Sequence, residues 1–472
     1  MQHADRSTLL GTTEMRRLVP KISLPIMFSM IVQALYNIVD SYYISQFNQN
    51  GLTAVSLAMP FQMLMIALST GMGTGINSLI SRRLGERRAS DARRASWNGL
   101  LIEIAGSILF VIVGLVLAGP LMNLIVDGNL KNRESILQMG TEYLSIVTTW
   151  SIGLFVAIFF ERLLQSTGNS KASMVAQLCG ALTNIILDPI LIFGRLGLPE
   201  MGIAGAAAAT VIGQWFSAII GFALNQHKND ELKLNLKEFA VNGRDLRDIV
   251  SVGLPSTIMA SIGSVMNVGM NAILSGFAEN NAALNVMSVY FKLQSFIFMP
   301  VFGLANGIIA IIGYNYGARN KHRIYQCIRV ALYWAGTIML IGTLIFMIFP
   351  DALMSIFQQK DITDPETLLV AEQMKQIGPV AMRIICANFI FAAVGITLST
   401  VFQAVGRGTY SMVLSICRQL VLLLPAAWLL AKLTGSVYAV WWCFPIAEII
   451  SLFIALYMFR ACNRKMLAPL PD

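Results

Sequence analysis

Long apolar stretches separated by short polar loops dominate the chain. Twelve runs of about 20 or more mostly apolar residues can be read along it, each long enough to cross roughly 30 Å of hydrocarbon. Their centres lie near Val32, Met65, Ile108, Thr149, Leu182, Ser217, Val265, Phe298, Thr337, Phe389, Leu422 and Ile450. A lipid-exposed span must satisfy its own backbone hydrogen bonds, and the ten-residue alternating segments of an outer-membrane barrel are not present. The pattern therefore predicts helices. The polar stretches predict the divisions: a cytoplasmic tail over 1–15, a first six-helix lobe over 16–226, a charged linker over 227–248, a second lobe over 249–460 and a tail over 461–472. The loop from Phe349 to Ile377 is acidic, with Asp351, Asp361, Asp364, Glu366 and Glu372, and reads as a solvated outer loop carrying a short interfacial helix.

The same short phrases occur twice. Leu24-Pro25 followed by Asn37 recurs as Leu254-Pro255 followed by Asn267. Gly71, Gly75 and Gly85 recur as Gly303, Gly307 and Gly317, and Gln165, Gly168, Ser173 and Met174 recur as Gln403, Gly406, Ser411 and Met412. The spacing drifts from about 230 to about 238 residues. The predicted fold is thus an all-α membrane protein, twelve transmembrane helices in two pseudo-symmetric six-helix bundles. A duplicated pair of membrane bundles can rock about a central site, which suggests a transporter. Pro25 and Pro255 sit early in the first span of each lobe, either as hinge-forming kinks or in the first turns of the helices.

Composition excludes an ordinary soluble protein: 56% of the 472 residues are hydrophobic and 12% charged. The net charge of +9 could suggest nucleic acid, but its placement says otherwise. Arg82 to Arg94, the linker from His227 to Asp248, Arg319 to Arg323 and Arg460 to Lys465 carry the cations, and the alternate loops carry almost none. This bias predicts both termini in the cytoplasm, with basic loops that attract anionic lipid and no nucleic-acid partner. The six cysteines have no metal or redox spacing, and the three histidines lie outside the spans. No zinc motif, phosphate loop or nucleophile elbow is present, and no cleavable signal peptide precedes the first span. The expectation is a transporter rather than an enzyme, without a cofactor and driven by an ion gradient.

A charge within a span costs several kcal/mol, so each one is a candidate functional group. The candidates are Asp40, Glu103, Glu161, Asp188, Lys292, Arg383, Arg418 and Glu448. Asp40 follows Tyr36 and Asn37 late in the first span, and Asp188 follows Asn184 late in the fifth, each spacing putting its pair on one helix face. Both carboxylates fall in the outer half of the first lobe. Two carboxylates, a carboxamide and a hydroxyl could coordinate Na⁺. Alternatively the two acids could share a proton, because burial and like charge oppose ionising both. Both could also be helix caps at the membrane edge. Glu103 reads as structural, and Glu161 beside Arg162 as a surface pair at an inner helix end. In the second lobe Glu448 either balances a nearby cation or joins Lys292 and Arg383 in a polar substrate site.

These phrases together resemble the multidrug and toxic compound extrusion (MATE) transporters of bacteria. The resemblance covers about residues 16–460. It rests on Leu24-Pro25, on Leu35-Tyr36-Asn37-Ile38-Val39-Asp40, on Ser81-Arg82-Arg83-Leu84-Gly85 and on Gln165-Ser166-Thr167-Gly168-Asn169. The most specific phrases are Asn184-Ile185-Ile186-Leu187-Asp188-Pro189 and Gly202-Ile203-Ala204-Gly205-Ala206-Ala207. It implies a V-shaped pair of bundles in the bacterial cytoplasmic membrane. It also implies antiport of amphipathic, cationic drugs or metabolites against Na⁺ or H⁺ by a monomer. The coupling residues would be Asp40, Asn184, Asp188 and Thr210, with Tyr36 and Asn37 beside them and Na⁺ as one possible occupant. Another branch of the family has a carboxylate in the seventh span where this chain has Gly263, which shifts weight to the first lobe. The main alternative is a flippase for lipid-linked oligosaccharide or polysaccharide precursors, which should show a string of cations in its cavity. A membrane-embedded enzyme should show a histidine cluster that the spans lack.

Overall fold

A computed structural model describes residues 7–126, 132–357 and 364–471 of the chain. All twelve apolar runs are helical. In the first lobe they are α1 (Met15–Phe47), α2 (Gln49–Gly85), α3 (Ala89–Ile125), α4 (Arg133–Thr149 and Ile152–Ser166), α5 (Ser170–Ile192) and α6 (Gly202–Lys228). In the second they are α7 (Gly243–Leu274), α8 (Asn280–Gly317), α9 (Lys321–Ile348), α10 (Pro365–Cys386 and Phe389–Ala404), α11 (Gly408–Thr434) and α12 (Val437–Leu467). Ten are unbroken by a sharp bend. The other two, α4 and α10, bend by 46° and 47° at short breaks, and they occupy equivalent places in the two lobes.

Local chemistry sets many of the ends. The Asn48 carboxamide accepts from the Asn50 N–H at 2.8 Å, the Asn242 carboxamide from the Arg244 N–H at 2.9 Å, and the Asp364 carboxylate from the Thr367 N–H at 2.8 Å. Each satisfies a first-turn N–H that has no partner inside its helix. Gly168 (φ +77°) and Gly406 (φ +83°) end α4 and α10 in the left-handed turn that a Cβ disfavours. Arg87 and Arg319 also take positive φ at matching places after α2 and α8. The repeat read from the sequence is thus repeated in backbone conformation.

The repeated glycines lie where the lobes meet. A Cβ on Gly71 would strike Thr257 of α7, and one on Gly75 would strike the Ile249 carbonyl and Gly253. Reciprocally, a Cβ on Gly303 would lie 2.6 Å from Met27 Cα of α1, and one on Gly307 would press on Ser23. Gly85 packs on the Tyr314 carbonyl while Gly317 packs on the Arg82 carbonyl. Between lipid-embedded helices there is no hydrophobic drive to associate, so close backbone approach through small residues supplies the packing energy. The lobes are therefore joined by two equivalent seams, α2 on α7 and α8 on α1, with α2 crossing α8 at the end that carries the linker.

Several expectations change. Pro25 and Pro255 lie inside the continuous helices α1 and α7, well past their first turns, so the helix-start reading is excluded. The segment before α1 is not a free polar tail: Thr8–Thr12 is helical and Leu10 is fully buried. At the other end Cys462 and Leu467 are buried within the continuation of α12. The acidic outer loop is shorter than read, because α10 begins at Pro365 and Pro350–Ser355 forms a separate short helix. Its Asp361 lies outside the described residues.

Candidate functional site

The site forms on the seam between α5 and α6. A Cβ on Gly180 would lie 2.8 Å from the Gly213 carbonyl oxygen, and one on Gly213 would lie 2.7 Å from the Gly180 oxygen. Gly205 likewise packs on the Leu191 carbonyl, 2.6 Å from its would-be Cβ. These contacts bring the two backbones together above and below one cluster of polar side chains. Within it, the Asn184 Nδ2 donates to Thr210 Oγ1 at 3.3 Å and to Asp188 Oδ1 at 3.4 Å. All three side chains are buried, Asp188 completely.

Helix α1 packs on α5 and supplies Asp40. The two carboxylates are close enough for their charges to interact. The phenol of Tyr36, one turn before Asp40 on α1, lies in the electrostatic reach of both. The structure thus brings together Asp40, Asn184, Asp188, Thr210 and Tyr36. Asn37 is the exception: it is exposed, and no hydrogen bond ties its side chain to the group.

The decisive feature is what these groups lack. Asp40 Oδ1, Asp188 Oδ2 and Asn184 Oδ1 are buried without a hydrogen-bond partner, and so is Gln214 Oε1 one turn beyond Thr210. Oxygen atoms left unsatisfied in a low-dielectric interior are costly, about 1–3 kcal/mol each and more for a charged group. Converging acceptors of this kind suit a proton or a small hard cation, which binds oxygen ligands. Among the described residues no three His, Cys, Asp or Glu side chains converge as a metal site, so a transition-metal centre is not suggested.

One acid was misread from the sequence. Glu161 and Arg162 are not a surface pair: both are buried, with only 7% of each exposed. Gln177 Nε2 donates to Glu161 Oε2 at 3.0 Å, and Arg162 Nη1 donates to Gln165 Oε1 at 3.0 Å. Glu161 lies within electrostatic range of Tyr36, but it does not converge with Asp40 and Asp188 as a group of three acids. Glu103, read as structural, is fully buried: its Oε2 accepts from Ser69 Oγ at 2.9 Å, while its Oε1 has no hydrogen-bond partner.

The second-lobe grouping does not form. Lys292 lies over the Phe357 ring, and Arg383 is exposed beside Asp351 and donates to the Met347 carbonyl at 3.3 Å. Glu448 instead pairs with Arg418 at 3.3 Å. Neither Lys292 nor Arg383 is paired with Glu448; among the described residues its ion-pair partner is Arg418 on α11.

Comparison with known proteins gives the same architecture. The family model described as MatE matches residues 25–190 and 255–429, one match in each lobe. The chain belongs to the MatE family. Members of this family are transporters, and this chain is accordingly a multi-pass membrane transporter rather than an enzyme. It is 26% identical to the "Probable multidrug resistance protein NorM" of Thermotoga maritima, over 89% of this chain and 86% of that one. It is 23% identical to the "Multidrug export protein MepA" of Staphylococcus haemolyticus, over 94% and 93% of the two chains. Its fold matches a crystal structure of MATE in complex with MaL6, with a TM-score of 0.89, 23% identity and coverage of 98% and 99%. It also matches an outward-facing multidrug resistance MATE family transporter of the MOP superfamily, with a TM-score of 0.88, 24% identity and coverage of 99% of both.

Proposed function

We propose that this MatE transporter is a secondary antiporter. It exports amphipathic, cationic drugs or metabolites across a bacterial cytoplasmic membrane in exchange for Na⁺ or H⁺. The observation that carries this reading is the buried cluster of unsatisfied oxygens at Asp40, Asn184 and Asp188, completed by Thr210. The names of the relatives supply the drug-export half of the reading. The Lys/Arg bias assigns the linker end, with both termini, to the cytoplasm. That end is basic and in contact with anionic lipid. Two lobes in one chain provide both walls of a transport path, so a monomer suffices.

The mechanism follows from linkage. An external cation enters the first-lobe cluster and neutralises charge that the surrounding helices otherwise bury at a cost. Its occupancy favours one arrangement of α1 against α5 and α6, and substrate between the lobes favours the other. Pro25 lies in α1 beneath Asp40 and lacks an N–H to tie the turn before it, so α1 can bend there, and Pro255 offers α7 the same freedom. Tyr36 and Glu161 continue the polar group inward from Asp40, giving the cation a second acceptor on its way to the cytoplasm.

The test is reconstitution. Purified protein in liposomes, given an imposed Na⁺ or H⁺ gradient, should move a fluorescent cation such as ethidium against its own gradient. Export under one gradient and its collapse with the matching ionophore is the expected result. No gradient-driven movement over a broad panel of cations, with transfer of a lipid-linked sugar instead, would overturn it in favour of the flippase.

A further inference from the structure

The segment before α1 lies across the joint between the lobes at the linker end. Its Leu10 packs against Gly168 of the first lobe, 3.1 Å from that residue's would-be Cβ, while Gly11 abuts the Tyr314 ring of the second. Its backbone carbonyls make the tie. The Leu10 carbonyl accepts from Asn315 Nδ2 at 2.9 Å and from Arg323 Nη2 at 3.1 Å, and the Thr13 carbonyl accepts from the same Arg323 nitrogen at 2.7 Å. Arg323 is aimed by its Nε, which donates to Asn315 Oδ1 at 3.0 Å. Ser7 anchors the start of the segment, its Oγ donating to the linker carboxylate Glu231 at 2.7 Å.

The entry to α7 is held in the equivalent way. Asn98 Nδ2 donates to the Ala240 carbonyl at 3.0 Å, and the Asn242 N–H donates to Asn98 Oδ1 at 2.9 Å. The buried Asp245 accepts from Arg94 Nε at 2.9 Å, with Arg83 at 3.7 Å. Thr13 and Asp245 are about 232 residues apart, within the drift of the repeat. Each lobe's entry segment is therefore clasped by the opposite lobe, at α8 and α9 for the first and at α2 and α3 for the second. At the same end Gly85 packs on the Tyr314 carbonyl and Gly317 on the Arg82 carbonyl.

We propose that residues 7–13 and 240–245 are the two arms of a clasp that holds the linker end shut, and that both release before a path opens on that side. The arms differ in chemistry. The first rests on neutral carbonyls facing a guanidinium. The second rests on a buried carboxylate between two guanidinium groups, whose separation strands a charge. The first arm is the weaker and releases first. This inference rests on the alternating-access reading above, but its readout is conformation and not export.

Spin labels at Ser90→Cys and His322→Cys, one on each lobe, in a chain with its six cysteines replaced, report the separation at the linker end. The resting protein should give one short distance. Arg323→Ala and Leu10→Asp should each move a several-fold larger fraction into a longer one; Arg94→Ala, which leaves Arg83 facing Asp245 and so only part of the second arm lost, should do so to a smaller extent alone and to a larger extent with Arg323→Ala; and Arg323→Lys should restore most of the closed population. An unchanged distribution in Arg323→Ala and Leu10→Asp overturns the proposal. Should the cysteine-free chain not fold, hydrogen exchange on the unaltered background decides. The amides of residues 8–13 should exchange at least about tenfold faster in Arg323→Ala than in the parent, the loss of two charge-assisted hydrogen bonds. Exchange already at the rate of a free chain in the parent overturns it equally. Loss of export in Asp188→Asn with unchanged distances would bear on the coupling site alone, so the two readings fail separately.

Discussion

At the scale of single residues, acceptors with no donor set the chemistry of the first lobe. Asp188 is wholly buried and shares only one oxygen with Asn184; the other has no hydrogen-bond partner. Asp188→Asn and Asp40→Asn should each abolish gradient-driven dye export while protein abundance stays near normal, because removing a buried charge spares its desolvation cost. Wild-type export by either variant in proteoliposomes would refute the coupling assignment. Thr210→Ala should weaken but not abolish export, since the carboxylates remain and only the hydroxyl that Asn184 leans on is lost. Glu161→Gln should slow export severalfold and leave the apparent affinity for substrate unchanged, because Glu161 lies beyond Tyr36 from the outer carboxylates; an unchanged rate would leave Glu161 a packing residue. The sequence made Asp40, Asn184 and Asp188 legible because a carboxylate in an apolar run has few bland explanations. Glu161 was not legible, since it sits next to Arg162 near the end of a run and only the packing of α4 inside the lobe shows that neither reaches the surface. The Arg418–Glu448 pair was hidden for a related reason: several cations compete for one acid in the sequence, and only helix placement selects among them.

At the scale of helices, glycine decides how near the site's walls come. Gly213 faces the Gly180 carbonyl and lies one turn from Thr210, so a side chain there has nowhere to go. Gly213→Leu should push α6 off α5 and separate Asn184 from Thr210. The expected cost is about 1–3 kcal/mol of stability from overpacking, together with loss of export. Thermal unfolding in detergent and the transport assay read the two effects, and a fully active Gly213→Leu would show that the seam does not set the site's geometry. The twelve helices themselves were legible because each is an apolar run of spanning length. The bends in α4 and α10 were not, since the runs continue through them: two of the expected centres, Thr149 and Phe389, directly adjoin the breaks. The entry segment before α1 was read simply as a polar tail; its bonds to the second lobe are accepted by backbone carbonyls, which no side-chain pattern reveals.

At the scale of the molecule, the repeat fixes how the lobes are related. Each contains six spans, an even number, so the second copy enters the membrane in the same direction as the first. The structure supports this reading through its reciprocal contacts: Gly71 and Gly75 on α7, Gly303 and Gly307 on α1, and Gly85 against the chain that carries Gly317. An inverted pair would set the start of one lobe against the end of the other, whereas here the entry segments of both lie at the linker end, each held by its opposite lobe. The loops after α1 and α7 should then share one face of the membrane, and the loops after α2 and α8 the other. Cysteines placed singly at Asn50 and Ser275 should react with an impermeant thiol reagent on intact cells, while those at Ser90 and His322 should react only after permeabilisation. The basic loops predict which face is which, because Arg and Lys crowd the second set and hardly touch the first. Labelling of Asn50→Cys and Ser275→Cys from opposite faces would refute the parallel repeat. Labelling of both only after permeabilisation would keep the repeat but reverse the whole protein, and the cluster at Asp40 and Asp188 would then lie in the inner half, where an inward-running gradient could not load it first.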